Sequence, residues 1–185
     1  MLGNSVVLLS GGIDSAACAQ YLRNSGSTVR CVFVDYGQAG SRIERDCANR
    51  IADLLNLELS CVEVNTARRF GSGEIIGRNA FLILTALMTT GITSGFVGLG
   101  IHSGTRYYDC TPAFASTVNR LLAEYTDGCV QIMTPFITWS KHQVFKYYID
   151  TGLPPTISYS CETGIVPPCG TCASCLDRRA LGCFT

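Results

Sequence analysis

The sequence has little charge, and the charge it has is balanced. Charged residues make up 15% of the 185 residues, the formal net charge is zero, and no dense block of Lys and Arg occurs. Broad contact with a nucleic-acid backbone needs a basic surface, so no nucleic-acid partner is expected, although a small recognition patch is not excluded. Hydrophobic residues reach 47%, which is typical of a globular chain with a full core.

Long apolar runs are also missing. No stretch approaches the roughly 18 uninterrupted apolar residues of a membrane helix, so no membrane partner is expected. Residues 1–10 lack the basic start of a secretory signal, which predicts a cytoplasmic location where the eleven cysteines stay reduced. Five cysteines far from the C-terminus are then expected to act as small buried hydrophobes: Cys18, Cys31, Cys47, Cys61 and Cys129.

What the chain does have is an alternation of strand-like and helix-like segments. Apolar runs predict strands at 6–9, 29–34, 59–64, 95–99 and 130–133, and helical spacing predicts helices at 13–24, 42–57, 79–90, 112–125 and 140–151. The helix at 79–90 is apolar on almost every side, so it is expected in the interior. This alternation predicts an α/β fold with a doubly wound parallel sheet, whose ligand site lies at the carboxyl ends of the strands.

The most informative segment, SGGIDS, lies between the first strand and the first helix. Adjacent glycines at a helix N-terminus let backbone N–H groups approach a phosphate chain, and the serine hydroxyls can donate to it. Asp14 can hold a metal ion or position the loop. The Gly-Lys-Ser/Thr of a Walker loop is missing. The segment resembles the pyrophosphate loop of ATP pyrophosphatases, with a plain glycine turn as the alternative. That resemblance implies ATP binding by Ser10, Gly11, Gly12, Ile13, Asp14 and Ser15.

The composition changes after Gly152. Residues 153–185 are rich in Pro, Gly and Cys without regular periodicity, so we expect an ATP-binding unit at 1–152 and a metal-binding segment of the same domain at 153–185. Gaps of seven, two and two residues separate four cysteines there and let their thiolates converge on one tetrahedral ion. The set predicts a structural Zn(II) site, with an iron–sulfur cluster or unliganded thiols as alternatives. Its members are Cys161, Cys169, Cys172 and Cys175.

Six short elements in order resemble the QueC family, the 7-cyano-7-deazaguanine synthases of queuosine biosynthesis. The resemblance implies an adenine nucleotide α-hydrolase-like fold, ATP, Mg(II) and Zn(II) as cofactors, and 7-carboxy-7-deazaguanine as the small-molecule substrate. ATP would adenylate its carboxylate, and ammonia would then give the amide and the nitrile. A homodimer is expected by the same resemblance. The elements are SGGIDS, Asp35-Tyr36-Gly37-Gln38, Gly77-Arg78-Asn79, Tyr108-Asp109-Cys110, Thr134-Pro135 through Lys141, and the four cysteines followed by Arg178.

The resemblance also implies roles for single residues. Asp14, Arg78, Lys141 and Asp109 are the expected catalytic residues, and Tyr36 and Arg78 are expected beside ATP. Arg78 and Lys141 would supply positive charge to the phosphates or the carboxylate. The alternative for Arg78 is a surface ion pair, and for Lys141 a solvated lysine at a helix start.

Two further residues carry open alternatives. Asp109 is expected to read the Watson–Crick edge of a guanine-like base, because a carboxylate accepts from a ring N–H and an exocyclic amine. Its alternative is a helix N-cap before Pro112. His102 lies just past a predicted strand end, where it either lines the pocket or is a plain loop histidine.

Two segments depart from the family pattern. Residues 65–76 are far shorter than the usual insertion, and residues 100–110 are compressed, with Thr111 where the family usually has arginine. Both lie near the expected substrate pocket, so the acyl acceptor stays open. The alternative to ammonia is a protein amine, as in QueC-like enzymes of anti-phage defence that join a deazaguanine to a protein. A tRNA-modifying enzyme and a non-catalytic nucleotide-binding module are further alternatives.

Overall fold

The structure is a computed structural model, and it describes residues 3–183. Parallel strands form one sheet in the order β3–β2–β1–β4–β5. The strands are β1 (Asn4–Leu8), β2 (Thr28–Asp35), β3 (Glu58–Glu63), β4 (Gly95–Gly98) and β5 (Val130–Met133). The helices are α1 (Ile13–Asn24), α2 (Ser41–Leu55), α3 (Arg78–Thr90), α4 (Pro112–Thr126), α5 (Lys141–Asp150) and α6 (Ala173–Ala180).

Alternate residues of β1 enter two separate cores. Val7 packs with α1, α2 and α5 on one face of the sheet, and Val6 and Leu8 pack with α3 and α4 on the other. The predicted doubly wound parallel sheet is confirmed, with most element bounds within one or two residues of the prediction. Because β1 pairs with both β2 and β4, the winding reverses at β1, and a crevice opens between the carboxyl ends of β1 and β4.

Helix α3 is not an interior helix, so that prediction is wrong. Ile83 and Ala86 are buried against the sheet, whereas Met88 is 82% exposed and Phe81 is 39% exposed. The helix covers one face of the sheet as an outer layer, so only its inner side is shielded from solvent.

The expected homodimer stays a prediction. Within residues 3–183, the longest apolar helix still falls short of what a bilayer crossing requires.

The cysteines outside the C-terminal segment fall into two groups. Cys18, Cys31 and Cys47 are buried, as predicted, and burial raises the pKa of the Cys31 thiol to about 12. Cys61 and Cys129 are exposed, which contradicts the prediction. The reason is position: Cys61 lies on β3 at the sheet edge, and Cys129 lies in the turn before β5.

A buried guanidinium group holds the C-terminal segment together internally. Arg178 of α6 donates to Ser158 Oγ (2.8 Å) and to the carbonyl oxygens of Pro155 (3.1 Å) and Cys183 (3.3 Å). Irregular structure was expected here, and α6 was missed. The boundary at residue 152 stays a prediction.

Candidate active site

A cavity of about 600 Å³ lies at the carboxyl ends of β1, β2 and β4. Its walls are the SGGIDS loop, the segment 99–107 after β4, and residues 159–178 of the C-terminal segment. This is the switch point of the sheet, where ligands of doubly wound folds bind. Most of the sequence-predicted site residues outside the cysteine cluster line the cavity: Ser10, Gly12, Ile13, Asp14, Ser15, Tyr36, Arg78 and Lys141.

The loop before α1 is fixed by its serines. Ser15 Oγ accepts from the N–H and the hydroxyl of Ser10 (3.2 and 3.1 Å) and donates to the carbonyl of Gly12 (3.0 Å). No side chain caps α1, so its first N–H groups, which lack partners within a helix, remain for a ligand. The positive end of α1 therefore faces the cavity, as an anion site requires.

Gly11 does not line the cavity but shapes the loop from behind. Its φ is +79°, and a Cβ there would lie 2.3 Å from the carbonyl oxygen of Glu44 on α2. The Gly11 carbonyl also accepts from the N–H of Tyr159 at 3.0 Å, which joins the loop to the C-terminal segment. Only glycine combines this backbone conformation with so close a contact.

Lys141 and Asp14 form an ion pair inside the cavity. Lys141 Nζ lies 2.5 Å from Asp14 Oδ2, and the two side chains are only 20% and 26% exposed. The alternative of a solvated lysine at the start of α5 is therefore wrong. The second carboxylate oxygen, Asp14 Oδ1, is buried and has no hydrogen-bond partner within the described structure.

His102 lies beside this ion pair and lines the cavity, so it is not a plain loop histidine. Its Nε2 is 4.0 Å from Asp14 Oδ2, and its Nδ1 accepts from the N–H of Gly104 at 3.0 Å. Burial lowers the pKa of His102; the charge of Asp14 opposes this shift, and that of Lys141 reinforces it.

The DYGQ element lies across the cavity at the end of β2. Gln38 accepts from the N–H of Tyr36 (2.9 Å) and donates to the carbonyl of Val34 (3.2 Å) and to Glu44 Oε2 (3.1 Å). Burial raises the pKa of both Glu44 and Tyr36, and the positive charge of Arg78 opposes both shifts. Arg78 thus lies near these side chains at the cavity wall rather than in a surface ion pair.

Asp109 lies in the segment before α4 and is buried against the first turn of α3. Its Oδ2 accepts from the N–H of Asn79 at 3.2 Å, and the Asn79 amide donates to the Asp109 carbonyl at 2.9 Å. The N-cap alternative is wrong, because Thr111 caps α4 by accepting from the N–H of Phe114. Asp109 instead fixes the first turn of α3 next to Arg78. Its role as a reader of a base edge stays a prediction.

The four C-terminal cysteines converge. The Sγ atoms of Cys161, Cys169, Cys172 and Cys175 all lie within 4.8 Å of one another. The N–H groups of Thr171 and Cys172 hold the pKa of Cys169 at about 5. Burial disfavours a charge on Cys161, but the N–H of Cys169 and the hydroxyl of Thr163 outweigh it and lower that pKa to about 7. Such a cluster of thiolates can hold a metal ion.

Glu162 connects this cluster to the segment 64–77 between β3 and α3, here called the cover segment. Its Oε1 accepts from the N–H (3.0 Å) and hydroxyl (2.9 Å) of Ser174 in the first turn of α6. Its Oε2 accepts from the N–H of Gly73 in the cover segment at 3.1 Å. One carboxylate thereby links the cysteine cluster to the mouth of the cavity.

A family model described as "Queuosine biosynthesis protein QueC" matches residues 4–88 and 74–182. Together the two matches span most of the chain. The chain belongs to the QueC family. The two matches overlap at residues 74–88, a range that begins within the cover segment.

Curated relatives of this QueC-family chain carry the name 7-cyano-7-deazaguanine synthase. The protein of Koribacter versatilis is 28% identical over 206 residues, covering 95% of this chain and 87% of the relative. That of Halobacterium salinarum is 28% identical, covering 94% and 88%, and that of Sulfurihydrogenibium sp. is 29% identical, covering 95% and 92%. An aligned length of 206 exceeds the 185 residues of this chain, so the relative carries residues in the matched region that this chain lacks.

Two solved structures share the fold of this QueC-family chain at 14% identity. NMN synthetase from Francisella tularensis gives a TM-score of 0.59 and covers 98% of this chain and 77% of its own. A "predicted subunit of tRNA methyltransferase" from Methanocaldococcus jannaschii gives a TM-score of 0.52 and covers 81% and 76%. These likenesses support the α/β fold alone.

Two acidic residues of the site escaped the sequence analysis. Glu44 lies three residues before Cys47 on the buried side of α2. A carboxylate at a position where the helical pattern favours an apolar residue is the signal that could have identified it. Glu162 follows Cys161 directly, and nothing in the sequence sets it apart from the other polar residues of that segment. Its contact with Gly73 depends on packing between segments far apart in the chain.

Proposed function

We propose that this chain activates the carboxylate of 7-carboxy-7-deazaguanine with ATP, releasing AMP and pyrophosphate, in the manner of a 7-cyano-7-deazaguanine synthase. The observation that carries the proposal is the cavity at the switch point. An uncapped helix N-terminus forms one side of it, and the cations Lys141 and Arg78 lie on other sides, in a chain of the QueC family.

The positive groups of the cavity suit the charge distribution of such a reaction. The first N–H groups of α1 bind the departing pyrophosphate, and the hydroxyls of Ser10 and Ser15, which are hydrogen-bonded within the loop, hold those N–H groups in place. Lys141, already drawn into the cavity by Asp14, and Arg78 stabilise charge on the α-phosphate and on the attacking carboxylate. Tyr36 also lines the cavity, which suits its proposed place beside the nucleotide.

The residues present also fit a Mg(II) ion. Asp14 Oδ1 is a buried acceptor without a partner in the described structure, and oxygen atoms of this kind are what Mg(II) prefers. Asp14 is the residue that would hold the ion next to the phosphates. Bound there, Mg(II) would neutralise part of the phosphate charge.

The chemistry balances as two activations. A carboxylate oxygen attacks the α-phosphorus, the bond to the β-phosphate breaks, and pyrophosphate leaves. Ammonia then attacks the acyl carbon and AMP departs, with loss of one proton, to give the amide. In a second round the amide oxygen attacks the α-phosphorus of another ATP and a second pyrophosphate leaves; loss of two protons and AMP then gives the nitrile. The chain's part is to hold the phosphates and the carboxylate in line.

For the cysteine cluster we propose a structural Zn(II). Four sulfur ligands at about 2.3 Å from a tetrahedral ion lie about 3.8 Å apart. The Sγ atoms of Cys169 and Cys175 are 3.9 Å apart, which fits that arrangement. All four positions are protein ligands, so the ion would order the segment rather than take part in the reaction.

A second candidate function uses a protein amine as the acceptor, as in a defence enzyme that conjugates a deazaguanine to a protein. The observation in its favour is the short cover segment. Phe70, Gly71, Gly73 and Ile75 border the cavity there, and most residues from 71 to 76 are exposed. With less chain over the cavity, an acceptor larger than ammonia has room to approach.

One experiment separates these candidates. The chain is incubated with ATP, Mg(II) and 7-carboxy-7-deazaguanine, with and without ammonia and with a lysate of its source cells, and all products are followed by mass spectrometry. We expect AMP, pyrophosphate and the nitrile when ammonia is present. A protein carrying the substrate less one water supports the second candidate. Absence of AMP and pyrophosphate under every condition contradicts both.

A further inference from the structure

His102 is a buried polar side chain at the cavity that lies outside the six family elements. It lies in a turn anchored on both sides. A Cβ on Gly100 would lie 2.4 Å from the carbonyl oxygen of Asp14, so the chain leaves β4 in tight contact with α1. The Ser103 N–H and hydroxyl both donate to the carbonyl of Trp139, at 2.9 and 2.7 Å, which joins the turn to the segment before α5.

The contacts of the ring fix its tautomer. Because Nδ1 accepts from the N–H of Gly104, it carries no proton, and the proton of the neutral ring lies on Nε2. A Cβ on Gly104 would lie 3.0 Å from the ring, so the turn also fixes the plane of the ring. His102 therefore presents a single N–H donor in a set direction.

That donor has no bound partner among residues 3–183. The nearest carboxylate oxygen, Asp14 Oδ2, is 4.0 Å away and is already paired with Lys141. Because His102 lines the cavity, a ligand that excludes water from this donor must supply an acceptor in its place. The partner must be an acceptor located between the pyrophosphate loop and Lys141.

We propose that His102 Nε2–H is a catalytic hydrogen-bond donor to a non-bridging oxygen of the α-phosphate. The assignment rests on the proposed function, which places the reacting phosphorus between the SGGIDS loop and Lys141. A preorganised neutral donor stabilises the negative charge that grows on that oxygen during the displacement, without costing reorganisation. A neutral donor also avoids competing with Lys141 for Asp14.

Nuclear magnetic resonance tests the donor directly, because the chain has only two histidines. In ¹⁵N-histidine-labelled protein, replacing the exposed His142 by Gln assigns the remaining ring to His102. We expect the Nε2–H tautomer in the free protein, and a shifted Nε2–H resonance on addition of α,β-methylene-ATP with Mg(II). An Nδ1–H tautomer, or an unmoved Nε2–H signal at nucleotide saturation shown by calorimetry, overturns the proposal.

Kinetics supply the second test. The amide nitrogen of Gln reaches about as far as Nε2, and that of Asn about as far as Nδ1. We expect His102→Ala and His102→Asn to lower kcat for pyrophosphate release by about 10² to 10³-fold, and His102→Gln to keep most of it. Wild-type activity is expected for the control His142→Ala. Equal losses in His102→Gln and His102→Ala, with lower thermal midpoints in both, would show a merely structural role.

The outcomes keep the two proposals apart. If the wild-type chain releases no pyrophosphate while the Nε2–H resonance responds to nucleotide, the proposed function fails. His102 is then still a hydrogen-bond donor to a phosphate oxygen of the nucleotide. If pyrophosphate is released and the resonance stays unmoved, the proposed function holds and the role of His102 is refuted.

Discussion

The two oxygen atoms of the Asp14 carboxylate are in different situations. Oδ2 is paired with Lys141 at 2.5 Å, and Oδ1 is buried without a partner in the described structure. An unpaired buried acceptor costs about 1–3 kcal/mol, so the arrangement is a cost to the free protein. A ligand or metal ion that reaches Oδ1 recovers this free energy on binding, which couples the carboxylate to occupancy of the cavity.

The positive charge of Lys141 can be tested by removal. We expect Lys141→Met to lower kcat for pyrophosphate release by about 10² to 10³-fold, because a cation beside the reacting phosphate is lost while most of the side-chain volume stays. Lys146→Met is the matched control, since Lys146 is an exposed residue of the same helix that pairs with Asp150 outside the cavity. Equal kcat values in the two variants would contradict a role for Lys141 in the reaction.

Adjacent glycines of the loop differ in what they tolerate. Gly11→Ala places a Cβ 2.3 Å from the Glu44 carbonyl at a φ of +79°, so we expect unfolding to become easier by about 2 kcal/mol or more. At Gly12, φ is −90° and the nearest atom to a Cβ is 3.6 Å away. Gly12→Ala is therefore expected to keep the thermal midpoint and to weaken nucleotide binding. Equal midpoints for both variants in thermal denaturation would contradict this.

The sequence predicted which residues lie together where those residues belong to one short motif. It did not predict contacts that arise only from tertiary packing. SGGIDS and the four cysteines are local patterns: all residues of the loop except Gly11 line the cavity, and the four cysteines lie together in one cluster. Glu162 is different, because its carboxylate contacts Gly73, which is 89 positions away. Residue spacing carries no signal for such contacts.

At the scale of elements, the cover segment is linked to α6, which lies about a hundred residues later in the chain. Glu162 joins Gly73 of that segment to Ser174 in the first turn of α6. A carboxylate at the start of a helix also interacts favourably with its N–H groups, so one side chain stabilises both elements.

Removing this carboxylate is expected to loosen both elements. In Glu162→Ala, hydrogen–deuterium exchange should become faster at Gly73 and in the first turn of α6, and the KM for the deazaguanine substrate should rise more than kcat falls. The thermal midpoint should drop only slightly, since a lost cap costs about 1 kcal/mol. Glu124→Ala on α4 serves as the control. Unchanged exchange at Gly73 would show that the contact does not hold the cover segment.

Element type was predictable because the apolar pattern repeats through ten segments, and bounds moved by only one or two residues at most ends. Helix α6 was missed because its eight residues include a cysteine of the cluster and follow a stretch rich in Gly and Pro. Helix α3 was placed in the interior because it has no charge beyond Arg78. Composition reports that no charge is present, but it does not report which side of a helix meets solvent.

On the scale of the whole molecule, the C-terminal segment that carries the cysteine cluster contacts the SGGIDS loop. The N–H of Tyr159 in the C-terminal segment donates to the carbonyl of Gly11. Within that segment, Arg178 of α6 donates to one hydroxyl and two carbonyl groups. The segment has few apolar residues of its own, so a bound metal would supply much of its order.

Metal removal is therefore expected to destabilise the protein. A chelator should release one equivalent of zinc and lower the thermal midpoint by about 5 °C or more, since each kcal/mol is worth about 2–4 °C in a chain of this size. Cys172→Ser should do the same, and Cys129→Ser, an exposed cysteine outside the cluster, should do neither. A chain that binds no zinc and has an unchanged midpoint with chelator would contradict the metal assignment.

The affinity for zinc should rise with pH. Zinc binds thiolates, so protons compete with it. Cys169 and Cys161, with pKa values of about 5 and 7, lose their protons first, whereas burial raises the pKa of Cys175, whose proton must leave when the metal binds. Competition with a chelator dye between about pH 8 and pH 5 should show weaker binding at each lower step. An affinity independent of pH would contradict thiolate ligation.

Adenylation of the carboxylate is the central claim, and oxygen transfer tests it most directly. 7-Carboxy-7-deazaguanine labelled with ¹⁸O in both carboxylate oxygens is incubated with the chain, ATP, Mg(II) and an amine acceptor. Because the attacking oxygen leaves with the phosphorus, we expect every AMP released with the product to carry one ¹⁸O atom, alongside one pyrophosphate. Unlabelled AMP, or ADP and phosphate in its place, would contradict activation of the carboxylate through an acyl adenylate.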